Sequence, residues 1–285
     1  MQKFQTTIER PASCFGIGAH SGKKTQLTLK PAPADTGIVF VRPDIHNVTN
    51  ILHAHFSNIA DTSMATTISN DARVKISTIE HLMAALYGSG IDNVIVEVDG
   101  EEVPIMDGSS KPFIFLIEYA GIDILTAPKK ILKVEKELFV EHQSSKIVVS
   151  PSDKFSIEVD IEFPSKAIGK QTTKLEDIDS FREEIAPART FGFMRDLEYL
   201  RSKGLAKGSS LENAIGINDN DEIANKEGLR YENEFARHKL LDSVGDFYTA
   251  GCHILGHFYC TKQGHFLNHQ MLVKIFSDPN NYSFV

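Results

Sequence analysis

The chain has little cysteine and no long hydrophobic run, and each shortage excludes a class of protein. Its 285 residues include three cysteines, Cys14, Cys252 and Cys260, without a C-x-x-C pair. An odd number of widely spaced thiols favours a reducing compartment over a disulfide scaffold, so we expect a cytoplasmic protein. No run approaches the roughly 20 apolar residues of a spanning helix, and residues 1–10 precede no signal-like apolar segment. Membrane contact is therefore expected to be peripheral at most.

Positive charge is also in the minority, with 30 lysines and arginines against 38 acidic residues and a net charge of -8. This balance opposes polyanion binding, so nucleic acid is not an expected partner, although a few local lysines still suit a phosphate-bearing substrate. The chain is 41% hydrophobic, enough for a large globular core.

Strand-like and helix-like periodicities are mixed along the chain, which predicts an α+β fold. Alternating residues predict strands at 26–29 and 93–98, and longer periodic runs predict helices at 77–87 and 232–248. Residues 125–130 (LTAPKK) break both patterns before a strand-like run at 131–140, which predicts a linker. We therefore predict two similar domains, each a β-sheet layered with α-helices, at 1–126 and 127–285.

A weak internal repeat supports this division, since each half ends in a helix, a strand and a second helix opened by glycine. The spacing from histidine to glycine is 27 residues from His81 to Gly108 and 26 from His238 to Gly264. If both halves share one architecture, a pseudo-twofold axis places the two histidine-bearing helices opposite each other across an interdomain cleft.

Glu80 and His81 lie where an apolar helix is predicted to begin. Ser77 and Glu80 have the spacing of a capping box, which would explain the glutamate without any chemistry. The apolar stripe that follows places His81 at a buried interface, where a lone histidine is usually a hydrogen-bonded core residue. A ligand role for His81 therefore needs partners.

His238 and Asp242 supply those partners, because their i,i+4 spacing sets them on one helical face. A local ion pair explains the two residues alone equally well. With His81 they would form a three-ligand set with a fourth position for water, as catalytic zinc requires. Other pairs share suitable spacings, and spacing alone leaves them open: His265/His269, His253/His257 and His53/His55. For the last two pairs we favour ordinary polar or core histidines.

Seven segments carry a family resemblance: 16–22 (GIGAHSG), 31–37 (PAPADTG), 78–86 (TIEHLMAAL), 104–109 (PIMDGS), 188–193 (ARTFGF), 237–246 (RHKLLDSVGD) and 264–268 (GHFLN). In these segments, and in their order, the chain resembles the UDP-3-O-acyl-N-acetylglucosamine deacetylases of lipid A biosynthesis. The resemblance implies an active site between two domains. It also implies zinc-dependent hydrolysis of the acetamide of UDP-3-O-acyl-N-acetylglucosamine to acetate and a free amine.

The same resemblance implies a role for each site residue. The zinc ligands, with Fe²⁺ as an alternative ion, would be His81, His238 and Asp242. Glu80 would be the general base that takes a proton from the attacking water. His265, oriented by Asp246, would be the cation that stabilises the oxyanion and protonates the leaving amine, and Thr190 would bind the polarised carbonyl.

Substrate contacts are implied less directly. Positions matching those around uracil, ribose and diphosphate are Glu162, Phe163, Lys239, Lys262 and Gly264, with His20 and Phe191 in further matching segments. Residues 191–217 resemble an insert, a βαβ unit whose apolar side chains form a passage for the fatty acyl chain, although an ordinary amphipathic surface unit has the same pattern. Two other functions fit the residues: a zinc amidase acting on another acylated sugar, and a nucleotide-sugar binding protein with a structural zinc.

Overall fold

A computed structural model describes residues 3–285, and its architecture is α+β, as the mixed periodicities predict. Up to residue 128 it contains β1 (Phe4–Ile8), β2 (Ala12–Ile17), β3 (Lys24–Pro31), β4 (Ile38–Val41), β5 (Ile51–His53), β6 (Ile59–Asp61), β7 (Thr67–Ser69), β8 (Lys75–Ile76), α1 (Glu80–Gly88), β9 (Val94–Val98), α2 (Lys111–Ala120) and β10 (Ile122–Pro128). Strands β2-β3-β9-β4-β5 form a five-stranded sheet, and β6-β7-β8 form a small one.

The rest of the chain contains β11 (Ile131–Val134), β12 (Leu138–His142), β13 (Ser145–Ser150), β14 (Phe155–Glu162), β15 (Lys170–Leu175), α3 (Phe181–Glu184), β16 (Phe191–Phe193), α4 (Leu197–Ser202), β17 (Ile215–Ile217), α5 (Glu234–Phe247), β18 (His253–Thr261), α6 (His265–Phe276) and β19 (Tyr282–Phe284). Seven of these strands form a sheet around the long β18, which pairs with β11, β13 and β14. Across residues 3–285, no helix is long and apolar enough to cross a membrane.

The sequence of elements predicted for the repeat is present in both halves. In the first, α1 is followed by β9 and α2, and in the second α5 is followed by β18 and α6. The expectation that residues 125–130 break strand structure is wrong for 125–128, because residues through Pro128 belong to β10, which pairs antiparallel with β1. The two domain boundaries themselves stay a prediction, but the five-stranded sheet comes from residues 12–98 and the seven-stranded sheet from 131–284.

The two histidine-bearing helices, α1 and α5, pack directly against each other at the centre of the molecule. All residues of α1 before Gly88 are buried, so the helix has no solvent face. At Gly245 of α5, an added Cβ would lie 2.0 Å from the carbonyl oxygen of Glu80, far inside van der Waals contact. Glycine is therefore required there. The close approach holds the start of α1, with Glu80 and His81, against the part of α5 that carries Asp242 and Asp246.

Candidate active site

Glu80 is the first residue of α1, and it is buried. The capping-box interpretation is wrong, since no side chain caps this helix: Ile79 is the N-cap, and Thr78 takes a left-handed φ of 59°. The Glu80 carboxylate turns away from the helix start, and its Oε2 accepts a hydrogen bond from the backbone N–H of Thr66 at 3.0 Å. Burial raises the pKa of Glu80, which favours a group that accepts a proton near neutral pH.

His81 from α1 meets His238 and Asp242 from α5, and all three are buried. Ligand atoms of the three lie within 4.8 Å of one another, and within residues 3–285 they form the one cluster of three or more such groups able to hold a metal ion. Asp242 Oδ1 lies 3.6 Å from Nε2 of His81 and 3.3 Å from Nε2 of His238. The structure thus brings together the three predicted ligands from both halves.

The protonation states of His238 and Asp242 suit a cation. His238 Nδ1 lies 3.1 Å from the Ala188 carbonyl oxygen, which accepts its proton and leaves the Nε2 lone pair facing Asp242. Burial lowers the pKa of His238 to about 3, so the ring is neutral at neutral pH. Burial opposes ionisation of Asp242, but interactions with His238 and Lys239 outweigh it and hold its pKa well below the usual range.

The surroundings of Asp242 Oδ1 show whether a metal ion fits between the three side chains. This oxygen is buried, and no hydrogen-bond donor of the described residues reaches it, whereas Oδ2 accepts a hydrogen bond from Lys239 Nζ at 2.7 Å. A buried carboxylate oxygen without a donor is costly unless a cation binds it. Tetrahedral ligands about 2.0–2.2 Å from Zn²⁺ lie about 3.3–3.6 Å from one another, so the observed spacings fit one small ion.

His265 and Asp246 lie beside this triad. His265 Nδ1 lies 2.8 Å from Asp246 Oδ2, which also accepts a hydrogen bond from Asn268 Nδ2 at 2.8 Å. Burial lowers the pKa of His265, but Asp246 outweighs it and raises the pKa to about 9, so the ring is a cation at neutral pH. Its other nitrogen, Nε2, lies 3.9 Å from Glu80 Oε1. A buried carboxylate and a half-buried imidazolium, whose side chain is 11% exposed, therefore face each other at the triad.

Thr190 is held by its backbone at the start of the predicted insert. Its N–H donates to the Gly108 carbonyl, and its own carbonyl accepts from Ile215, each at 2.8 Å. The preceding Arg189 is buried and pairs with Glu234, which also accepts the Arg189 N–H at 3.0 Å. This buried pair fixes the segment that supplies both Thr190 and the carbonyl bonded to His238.

The insert has the βαβ form that the sequence predicts, with β16 and β17 parallel and α4 between them. Phe191 of β16 packs edge-on against Phe163, with ring centroids 5.6 Å apart, and its ring lies 6.0 Å from Lys239 Nζ. Lys239 is thus shared between the triad and an aromatic wall. Glu162 and Lys262 form an ion pair of 2.5 Å next to Phe163.

His20 and Gly264 approach from two further segments. His20 Nδ1 accepts a hydrogen bond from Ala206 of the insert at 3.4 Å, and its N–H donates to buried Glu102 at 2.8 Å. Burial lowers the pKa of His20, Glu102 opposes that change, and the His265 charge lowers it further. Gly264 is the N-cap of α6, immediately before His265, and no atom approaches the place where its Cβ would lie.

Comparison with known proteins identifies the family of this chain. The model of the LpxC family, UDP-3-O-acyl N-acetylglycosamine deacetylase, matches residues 5–277. The chain belongs to this family. It is 44% identical over 284 residues to a UDP-3-O-acyl-N-acetylglucosamine deacetylase of Idiomarina loihiensis, and 47% identical over 283 residues to one of a Geobacter species, strain M21. Each alignment covers 99% of this chain and 92% of the relative.

The rival histidines of this LpxC-family chain lie apart from the triad. His253 is buried beside Lys129, while His257 is exposed and lies 2.8 Å from the Ser156 hydroxyl. His55 bonds the Ser57 hydroxyl outside the triad. His269 is half-buried, and its Nδ1 is without a hydrogen-bond partner among the described residues, yet it joins no cluster of possible ligands.

One contact of this site escapes sequence reasoning, namely Thr66, whose backbone N–H binds Glu80. Thr66 lies between β6 and β7 in a stretch of small polar residues with no periodic pattern and no motif of its own. Only the packing of distant segments brings it to the carboxylate, so no local signal points to it.

Proposed function

We propose that this chain hydrolyses the acetamide of UDP-3-O-acyl-N-acetylglucosamine, releasing acetate and a free amine, as a step of lipid A biosynthesis. Family membership supports the substrate and the reaction. The observation that carries the chemistry is Asp242 Oδ1, which faces two imidazole nitrogens with no hydrogen-bond donor from residues 3–285, beside a buried carboxylate and a half-buried imidazolium. A cytoplasmic location stays a prediction from the cysteine content.

We propose that His81, His238 and Asp242 hold Zn²⁺, with Fe²⁺ as the alternative ion. Bound Zn²⁺ supplies a Lewis acid that polarises a carbonyl and acidifies water. Lys239 supports the carboxylate ligand by donating to Asp242 Oδ2, and the Ala188 carbonyl supports His238 by fixing its tautomer. Such supporting partners orient ligands and tune their basicity.

Glu80 acts as the general base of this reaction. Its Oε2 is occupied by the Thr66 N–H, which leaves Oε1 to accept a proton from the attacking water. The water oxygen then bonds to the acetyl carbon as negative charge develops on the carbonyl oxygen. The Thr190 hydroxyl donates to that oxygen, and a fixed donor in a dry site costs no reorganisation as the charge forms.

His265 acts as the general acid. Asp246 holds Nδ1, so the proton on Nε2 is directed toward Glu80 Oε1 and the space in front of it. When the C–N bond breaks, its electron pair stays on the amine nitrogen, which takes the Nε2 proton, and acetate leaves with the new C–O bond. Base and acid thus begin in opposite protonation states, as this two-group mechanism needs.

We further propose how the substrate lies. Phe163 and Phe191 form an aromatic wall, and Lys239 and Lys262 with Gly264 offer cations and an open backbone for the diphosphate. Glu162, His20 and the N–H groups near them bind ribose and sugar hydroxyls. The apolar residues of 191–217 receive the acyl chain, since burying methylene groups there is favourable.

The test is acetate release from UDP-3-O-acyl-N-acetylglucosamine, paired with metal analysis of the same samples. We expect Glu80→Gln to keep bound metal while its turnover rate falls by about 10²–10⁴-fold. We expect His238→Ala to lose both the metal and the activity. If both variants keep zinc and turn over normally, the assignment of base and ligand is wrong. If wild type with zinc releases no acetate from this substrate, the proposed reaction is wrong.

A further inference from the structure

Thr66 touches three of the four groups assigned to the chemistry apart from the metal ligands. It is buried, and its backbone N–H donates to Glu80 Oε2 at 3.0 Å. Its hydroxyl donates to Asp246 Oδ1 at 2.5 Å, and the Thr66 hydroxyl oxygen also lies 3.3 Å from His265 Nδ1. One residue therefore contacts the base, the acid and the carboxylate that orients the acid.

The backbone of Thr66 is hydrogen-bonded to the segment that carries the base. Its carbonyl accepts the N–H of Ile79 at 3.3 Å, directly before Glu80, and its own N–H returns to the Glu80 carboxylate. These two bonds tie Thr66 to the start of α1. Its hydroxyl, in contrast, reaches α5 and α6, where Asp246 and His265 lie.

The hydroxyl also completes the bonding of Asp246. Asp246 Oδ2 accepts from His265 and Asn268, and Oδ1 accepts from Thr66. A hydroxyl has one proton and two lone pairs, so Thr66 can donate to Asp246 while its oxygen accepts part of the bent Nδ1–H of His265. Removing it frees one carboxylate oxygen and one side of the imidazolium, which allows both to rotate.

We infer that Thr66 is a positioning residue, which sets the Glu80 carboxylate and the His265–Asp246 pair at a fixed distance across the contact between α1 and α5. The inference rests on the proposed function of the same site. It assigns Thr66 no bond to substrate and no proton in the reaction. Its contribution lies in the mutual geometry of base and acid, on which proton transfer depends steeply.

The test compares three variants of the full chain loaded with zinc. Thr66→Val keeps the shape and the backbone N–H but removes the hydroxyl, and Thr66→Ser restores it. Thr67→Val is the matched control, because Thr67 is also buried but its hydroxyl has no hydrogen bond among the described residues. We measure kcat, KM, metal content and, in the metal-free protein, the low-field proton NMR signal of His265 Nδ1–H, assigned by its loss in His265→Ala.

We expect Thr66→Val to lower kcat by about 10–100-fold, part of the 10²–10⁴ available from acid–base catalysis, with KM and metal content near wild type. The kcat of Thr66→Ser and of Thr67→Val should stay within about threefold of wild type. Serine supplies a hydroxyl at position 66, and Thr67→Val leaves Thr66 unchanged. The NMR signal should move in Thr66→Val alone. A Thr66→Val kcat equal to that of Thr67→Val, or an equal loss in Thr66→Ser, overturns the inference. Should the wild type release no acetate, the proposed function fails, while an unmoved NMR signal in Thr66→Val still rejects the role of Thr66.

Discussion

Two largely buried clusters of histidine, aspartate and lysine bring together residues from both halves of this chain, and they differ in where the lysine binds the carboxylate. Beside the triad, Lys239 donates to one oxygen of Asp242, and the other oxygen faces two imidazoles with no donor from the described part of the chain. In the second cluster, Lys129 lies between Asp92 and His253, with its Nζ 3.0 Å from Asp92 Oδ2 and 3.4 Å from His253 Nε2.

In the second cluster, protein groups bind the carboxylate and the lysine, while His253 Nδ1 has no hydrogen-bond partner among residues 3–285. Asp92 Oδ2 accepts the Thr6 N–H at 2.9 Å, and Lys129 Nζ also donates to the Gly90 carbonyl at 3.3 Å. Burial lowers the pKa of His253 to about 3, with Lys129 adding to the effect, so this histidine is neutral like His238. Similar residue types thus form a structural ion pair where Lys129 lies between carboxylate and imidazole, and a candidate ligand site where Lys239 binds Asp242 Oδ2 and leaves Oδ1 to the two imidazoles.

The largest expected contrast is in metal binding. Changes to groups that only support ligands cost about 10–100-fold in metal affinity or activity, so loss of a ligand in His238→Ala should cost more. His253→Ala should keep stoichiometric metal. Titration of zinc against a competing chelator measures both variants, and equal affinities would remove the distinction between the clusters.

Stability should show the reverse contrast. Lys129→Met leaves the half-buried Asp92 carboxylate without its cation, so the free energy of unfolding should fall by at most about 3–5 kcal/mol, measured by urea denaturation. The turnover rate of the folded fraction should not change. The control is Lys133→Met, which breaks an exposed pair with Asp153 and should leave the unfolding curve unchanged. If both lysine variants unfold alike, the second cluster is not a structural pair.

The pH dependence should separate His265 from both neutral histidines. Because Asp246 raises its pKa to about 9 against the effect of burial, His265 is protonated below that pH, and activity should fall as pH rises through about 9. In Asp246→Asn the pKa falls toward its ordinary value, so this alkaline limit of kcat should move to lower pH. An unmoved limit would mean that another group sets it.

The free energy of unfolding of the metal-free protein should also depend on pH through His265. The folded-state pKa of His265 is above its unfolded value of about 6.5, so its contribution is complete below that pH and is lost as pH rises through about 9. His265→Ala should lack this decline, as followed by urea unfolding at several pH values. His253→Ala should keep it.

The smallest effect concerns the acyl chain. Each methylene buried by the insert is worth up to about 0.8 kcal/mol, so kcat/KM should fall by at most about fourfold per methylene removed from the substrate. Met194→Ala, which changes an apolar side chain of the insert against Gly216, should weaken this dependence. Lys129→Met should not. A rate that is the same for acylated and unacylated substrates would exclude an acyl passage.

Local patterns predicted the parts of this molecule that depend on local spacing. The i,i+4 spacing of His238 and Asp242 placed both on one helical face, and the repeat placed their helix opposite that of His81. Family motifs in the sequence supplied the proposed roles of Glu80 and His265, which spacing alone left open.

Long-range contacts explain what could not be predicted. Residues 125–128 have no strand pattern, yet they extend because β1 pairs with them. Ser77 and Glu80 have the spacing of a cap, but the Thr66 N–H binds the carboxylate instead. Each error has the same cause, since a partner more than ten residues away in sequence outweighed a local preference.

The glycine at position 245 has a consequence for how the substrate enters and leaves. Because α5 touches the Glu80 carbonyl with no side chain between them, rotating one half away from the other would separate His81 from Asp242 and disassemble the ligand set. A hinge between the halves is therefore unsuited to turnover. We therefore expect substrate entry and product release to require motion only in segments outside the contact between α1 and α5.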